Sequence, residues 1–92
     1  MLYKITIPIY EEDVIETTVS VSNLAKFKTL ADRIGQEVYR VCKGVIPIKT
    51  IKYEKPNIYT NGCFPAMWIE CNNVNPIVDV FVEREDGLKV FS

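Results

Sequence analysis

Apolar and polar residues alternate from the start of the chain. Tyr3, Ile5, Ile7 and Ile9 fall on one side of an extended backbone, with Lys4, Thr6, Pro8 and Tyr10 on the other. This period-two pattern predicts a half-buried strand. Pro8 has no N–H to donate to a ladder, so the strand is expected either to lie at a sheet edge or to end there. Glu11-Glu12-Asp13 reads as a polar turn. The alternation then resumes, with Ile15, Thr17, Val19 and Val21 opposite Glu16, Thr18 and Ser20. Two such runs joined by a short acidic connection predict an antiparallel hairpin.

At Ser22-Asn23 the period changes. Leu24, Phe27, Ala31, Ile34, Val38, Val41 and Val45 recur at steps of three and four, and Leu30 and Cys42 widen the stripe. That is the pattern of an amphipathic helix. Ser22 or Asn23 is the expected N-cap, because a side-chain oxygen there can accept an orphan amide hydrogen. Gly44 suits a left-handed C-terminal stop and Pro47 forbids continuation. The helix is thus expected between residues 22 and 44, about 30 Å long at 1.5 Å per residue. Gly35 in its interior costs about 1 kcal/mol against alanine, which suggests a close approach to a strand.

The remainder is rich in strand signals. Residues 46–54 are dense in β-branched side chains, with a slip in the alternation near Lys49-Thr50 that suggests a bulge. Lys55-Pro56-Asn57 breaks the run, and Thr60-Asn61-Gly62 signals a turn. Residues 64–71 form the next expected strand, with Pro65 hinting at an edge or bulge, and residues 72–76 read as a loop. In residues 77–83, Val78, Val80 and Val82 share one face. Glu85-Asp86-Gly87 is a hairpin turn before a short closing strand over 88–91. The order is β-β-α-β-β-β-β. A lone helix must cover one sheet face, so the expectation is a single α+β domain over residues 1–92. It is a two-layer sandwich with a mostly antiparallel sheet of five to six strands on one central helix.

Composition narrows the class. With 92 residues, 48% hydrophobic and 25% charged, the chain suits one globular domain. Its apolar runs fall far short of the roughly 18 residues of a membrane span. The first residues have neither the basic start nor the continuous apolar stretch of a signal peptide. A cytoplasmic protein without membrane attachment is expected. Cys42, Cys63 and Cys71 are an odd set for a disulfide framework and are expected as free, buried thiols.

The usual chemistry is sparse. There is no histidine and there are only four glycines, so the commonest acid–base group and a phosphate-cradling loop are both missing. A zinc site needs about four cysteine or histidine ligands, which this set does not supply. The carboxylate clusters Glu11-Glu12-Asp13 and Glu83-Arg84-Glu85-Asp86 fall on expected turns and read as solvated. No catalytic residue, metal or cofactor is expected, and the chain is not read as an enzyme.

Charge is uneven. The net charge of −1 hides acidic ends and a basic middle: residues 21–55 carry eight Lys and Arg against Asp32, Glu37 and Glu54. Lys26, Arg33, Arg40 and Lys43 recur at steps of seven and three and align on one exposed helix face, a candidate footprint for phosphates or an acidic protein partner. A solvated helix face is the favoured reading of the row, since Glu37 lies between Arg33 and Arg40 where it can partly neutralise both. A pI near 5.4 also differs from that of a dedicated nucleic-acid binder. The second candidate surface is the segment 53–68, where Tyr53 and Tyr59 flank a proline turn beside Lys55 and are expected to be exposed. Phe64 and Trp68 are expected to fill the core.

Three functions follow as expectations. The first is a small non-enzymatic interaction protein docking on a protein or protein–nucleic acid complex through Lys26, Arg33, Arg40, Lys43, Tyr53, Lys55 and Tyr59. In size and general plan the chain is similar to small phage-encoded inhibitors of host defence or transcription machinery, anti-CRISPR proteins among them; no motif carries that likeness. The second is a direct single-stranded RNA or DNA binder with aromatics on the sheet face and lysines on the rim. The third is a self-assembling accessory subunit of a larger enzyme, a homodimer formed through an edge strand being one version.

Overall fold

The computed structural model describes residues 1–9, 12–54, 67–72, 77–87 and, as backbone, 89–91. Its elements are β1 (Leu2–Pro8), β2 (Val14–Ser20), α1 (Phe27–Cys42), β3 (Ile48–Tyr53), β4 (Met67–Cys71), β5 (Ile77–Arg84) and β6 (Lys89–Phe91). Every strand pair is antiparallel, in the order β2-β1-β5-β4-β3, with β6 also on β5. This is the expected α+β plan.

β5 is the hub. Ile77–Val80 pair with β4, and Phe81–Arg84 pair with β1. Val82 and Glu83 pair with β6 as well as β1. A strand has only two edges, so β6 continues the line of β4 on the side away from β1.

β1 is an interior strand, and of the two expectations for Pro8 the strand end is the one realised. Met1 and Val21 exchange backbone hydrogen bonds at 3.0 Å, and the Leu2 carbonyl accepts from the Glu85 N–H at 2.9 Å. Along an antiparallel strand these directions alternate, so odd residues of β1 bond to β2 and even ones face β5. The β1–β5 ladder stops at Thr6. Pro8 therefore faces a position where no ladder donor is needed.

The helix is shorter than expected, with 16 residues spanning about 24 Å. Ser22 does not cap it. The Ser22 carbonyl accepts from the Ala25 N–H at 3.1 Å and its Oγ from the Leu24 N–H at 3.2 Å. These bonds close a separate turn before the helix, and Lys26 becomes an N-cap without a side-chain bond. Leu24 is consequently 89% exposed and leaves the apolar stripe. At the other end Gly44 takes φ +85°, as a left-handed stop requires. The amides of Val45 and Ile46 both bond to the Cys42 carbonyl. The reversal turns Val45 outward and buries Ile46.

The core lies between α1 and one sheet face. Tyr3, Ile5 and Ile7 of β1, Val19 of β2, Met67 and Ile69 of β4, and Val80 and Val82 of β5 meet Ala31, Ile34, Val38 and Cys42. Register explains the match: Ile5 stands opposite Val82, and Met67 opposite Val80. The helix backbone comes closest to β2 and β3, the outermost strands. The sheet is thus concave and curls around the helix, as the inherent strand twist favours. Cys42 and Cys71 are free thiols, one buried and the other half-buried. Burial first, and the nearby Cys71 second, push the Cys42 thiol up to about 11.

Candidate functional site

Lys26, Arg33 and Arg40 follow one another at steps of seven on the helix and its N-cap, all exposed, and Lys43 follows just past the helix end, also exposed. Seven residues are close to two helical turns, so the first three form a row along α1. Arg40 is anchored inward. Its Nε donates to Glu37 Oε2 at 3.1 Å and its Nη2 to Glu37 Oε1 at 2.5 Å. The same Oε1 accepts from Thr17 Oγ1 of β2 at 2.8 Å. Glu37 therefore ties the row to the β2 side of the helix. The Arg40 and Thr17 hydrogen bonds, with the charges of Arg40 and Arg33, hold its carboxyl down at about 2 despite partial burial.

Among the described residues, only Arg40 of the row has its charge matched in this way. Arg33 Nη1 donates to the neutral Gln36 Oε1 at 3.3 Å. Among the described residues, Lys26, Arg33 and Lys43 make no ion pair within 4 Å. The expectation that Glu37 neutralises both arginines is met by direct contact at Arg40 and only at longer range at Arg33.

Tyr53 does not join this surface. At the end of β3 it is half-buried beneath α1, its ring 5.6 Å from that of Phe27 and edge-on at 68°. The expectation of an exposed tyrosine fails because Tyr53 pairs with the buried Met67, which puts it on the helix-covered face. Lys55, Tyr59 and Phe64 lie outside the described residues.

On the flank of α1 away from β2, Ala31, Gly35 and Tyr39 border a groove of about 440 Å³ with Ile51, Tyr53 and Met67. A Cβ at Gly35 would meet nothing within 4 Å. Gly35 thus marks open space and not the expected close approach to a strand.

The sheet face turned away from α1 carries Trp68, which is half-buried there and not in the core. Met67, Trp68 and Ile69 are all apolar, so alternation does not say which of them points inward; pairing of Met67 with Val80 and of Ile69 with Val78 decides it. Trp68 Nε1 donates to Glu70 Oε2 at 3.3 Å, and Lys52 Nζ lies 3.2 Å from the same oxygen. These two bonds hold the Glu70 carboxyl below the usual range. Phe81, on the same face, is a diagonal neighbour of Trp68 across β4–β5 and 41% exposed. Glu16, Glu70, Asp79 and Glu83 share this face with Lys4 and Lys52, and Asp79 stands directly opposite Trp68.

No family model, curated protein or solved structure matches this chain. Its functional reading rests on these surfaces. Among the described residues no three His, Cys, Asp or Glu side chains gather as a metal set, and no helix is long and apolar enough to cross a membrane. The lowered carboxyls, Glu37 and Glu70, each have hydrogen-bonding and ion-pair partners that account for them.

The outer edge of β2 is the surface that sequence reasoning missed. Seven consecutive residue pairs join β1 and β2 with no shift in register. β3, at the opposite edge, carries a bulge between Ile48 and Thr50 and the exposed Lys49 and Lys52. Hydrophobic alternation marks β2 as a strand but is silent on strand order, and only the order makes it an edge.

Proposed function

We propose that the chain is a non-enzymatic docking protein that binds a macromolecular partner through the basic flank of α1. The observation that carries this reading is the exposed row Lys26–Arg33–Arg40 with Lys43, of which, among the described residues, only Arg40 is ion-paired with a carboxylate. Arginines left with exposed guanidinium donors favour carboxylate or phosphate recognition. The row stands on a helix whose other side is the core, so its backbone is already ordered for presentation. A protein acting as the small phage-encoded inhibitors do, by occupying a surface of a larger assembly, needs no more machinery than this.

The test is capture from a lysate of the source organism, comparing the wild type with Lys26, Arg33 and Arg40 each changed to Glu. Partners retained by the wild type at low salt are expected to be lost from the triple variant. Identical recovery by both proteins would leave the row as a solvated face only.

A second reading is direct binding of single-stranded RNA or DNA on the open sheet face. The neighbouring Trp68 and Phe81 favour it, as bases stack on such aromatics. The carboxylates of Glu70 and Asp79 beside Trp68 oppose it, because a phosphate chain would meet like charge there. A retarded band in a gel-shift titration at low salt, abolished by Trp68→Ala and Phe81→Ala, would favour this reading over the first.

A further inference from the structure

We propose that the docking site extends from the basic flank of α1 onto the outer edge of β2, and that its occupant is an acidic, extended peptide segment of a partner protein, added to the sheet as a further antiparallel or parallel strand. This rests on the reading of the α1 flank given above and specifies its partner.

Backbone directions identify the pairing groups. Val21 bonds to Met1 through both its N–H and its carbonyl, so Val19, Thr17 and Ile15 also bond toward β1. The N–H and C=O groups of Val14, Glu16, Thr18 and Ser20 then point to the free edge. Among the described residues no strand pairs with them. Proteins blunt such edges with bulges, prolines or lysines. β3 follows that rule, whereas Val14–Ser20 contains no Pro, no Lys and no bulge. The edge is left competent to pair.

Charge selects the occupant. A strand added about 4.8 Å from β2 sets alternate side chains beside Ile15, Thr17 and Val19 on the helix side. There Glu37 already links Thr17 to Arg40, and Arg33 stands one turn earlier, hydrogen-bonded to the neutral Gln36 and, among the described residues, in no ion pair within 4 Å. Carboxylates at alternate positions of the added strand meet these arginines. On the other face Glu16, 3.8 Å from Lys4, favours neutral or basic side chains. The pattern sought is therefore acidic residues at every second position.

Two other occupants fit less well. A second copy paired through β2 about a two-fold axis keeps both helices on one side of the joined sheet and turns their basic flanks toward each other. A nucleic-acid backbone offers phosphate acceptors but no amide donors for the exposed carbonyls of the edge.

The experiment uses the full chain and three eight-residue probe peptides: glutamate alternating with threonine and valine, the same peptide N-methylated at alternate residues, and a version with lysine for glutamate. Affinity is measured by titration at two salt concentrations, and amide hydrogen exchange of Val14, Glu16, Thr18 and Ser20 is followed by NMR. The acidic peptide is expected to bind more tightly at low salt, to slow exchange at those four amides, and to lose about tenfold in affinity on Arg33→Glu. N-methylation is expected to abolish binding by removing the ladder donors, and the lysine peptide to stay unbound.

Equal binding of the N-methylated peptide, with the four amides unchanged, would overturn strand addition while leaving the basic-flank reading standing. Protected amides with an affinity indifferent to Arg33→Glu and to salt would overturn the basic flank as the selector. Absence of binding by the acidic peptide, or protection of the four amides that grows with protein concentration alone, would overturn the proposal, the latter in favour of a second copy.

Discussion

Thr17 on β2 and Glu37 on α1, twenty residues apart, are joined by a hydroxyl-to-carboxylate hydrogen bond of 2.8 Å. It is a polar tie between the outermost strand and the helix at the rim of an otherwise apolar interface. The same carboxylate orients Arg40, so one residue links sheet packing to the presentation of the basic row.

Replacing Thr17 by Val keeps the branched shape and removes the donor. A loss of about 1 kcal/mol is expected, read as a lower urea midpoint with an unchanged slope. A double-mutant cycle with Glu37→Ala, which removes the acceptor, should return a coupling of similar size. Strict additivity of the two changes would show that the bond contributes nothing.

Stability should depend on pH through Glu37. Its folded-state carboxyl is held at about 2, below the ordinary 4.5. A depressed acid contributes stability that is complete above the unfolded-state value and lost as pH falls through the folded-state one. Between pH 4.5 and 2 the wild type should therefore lose more stability than Glu37→Gln. Parallel stability curves for the two proteins over that range would contradict this.

The glycines of α1 and its exit should respond in opposite senses. Gly35 is helical and faces open space, so Gly35→Ala is expected to stabilise by about 1 kcal/mol and raise Tm by several degrees. Gly44 has φ +85°, a conformation that disfavours a Cβ, and Gly44→Ala is expected to destabilise by about 1 kcal/mol. Thermal melts of the two variants against the wild type decide both.

Cys42 is fully buried with its thiol raised to about 11. The thiolate is the nucleophile, so alkylation at pH 8 should spare Cys42 in the folded protein and reach it in urea. Site-resolved mass spectrometry distinguishes it from the other cysteines. Modification of Cys42 as fast in buffer as in urea would refute its burial.

Much of the fold is legible in particular residues. The alternation through Tyr3, Ile5 and Ile7 predicts β1 and its buried face. The three-four spacing from Phe27 to Cys42 predicts α1, and the slip at Lys49-Thr50 predicts the irregularity in β3. The N-terminal helix boundary is less legible. Leu24 has the right spacing, but Ser22 closes a turn through its own carbonyl and hydroxyl, and local hydrogen bonds of this kind compete with helix formation. Of the candidate site, Lys26, Arg33 and Arg40 are readable as a row from spacing alone. Tyr53 is not readable, because its face depends on the register of β3 against β4.

By itself the sequence determined the element order, the apolar faces, the glycine stop at residue 44 and the basic character of the helix. These are local or periodic properties, set by backbone conformation and side-chain spacing. Tertiary structure alone decided that β1 is interior, that β2 is an edge, that Trp68 turns away from the core, and that Glu37 binds Thr17. Each of these depends on which strands are neighbours and in what register. Strand pairing joins residues far apart in the chain, and a shift of one residue reverses every face, so no local pattern encodes it.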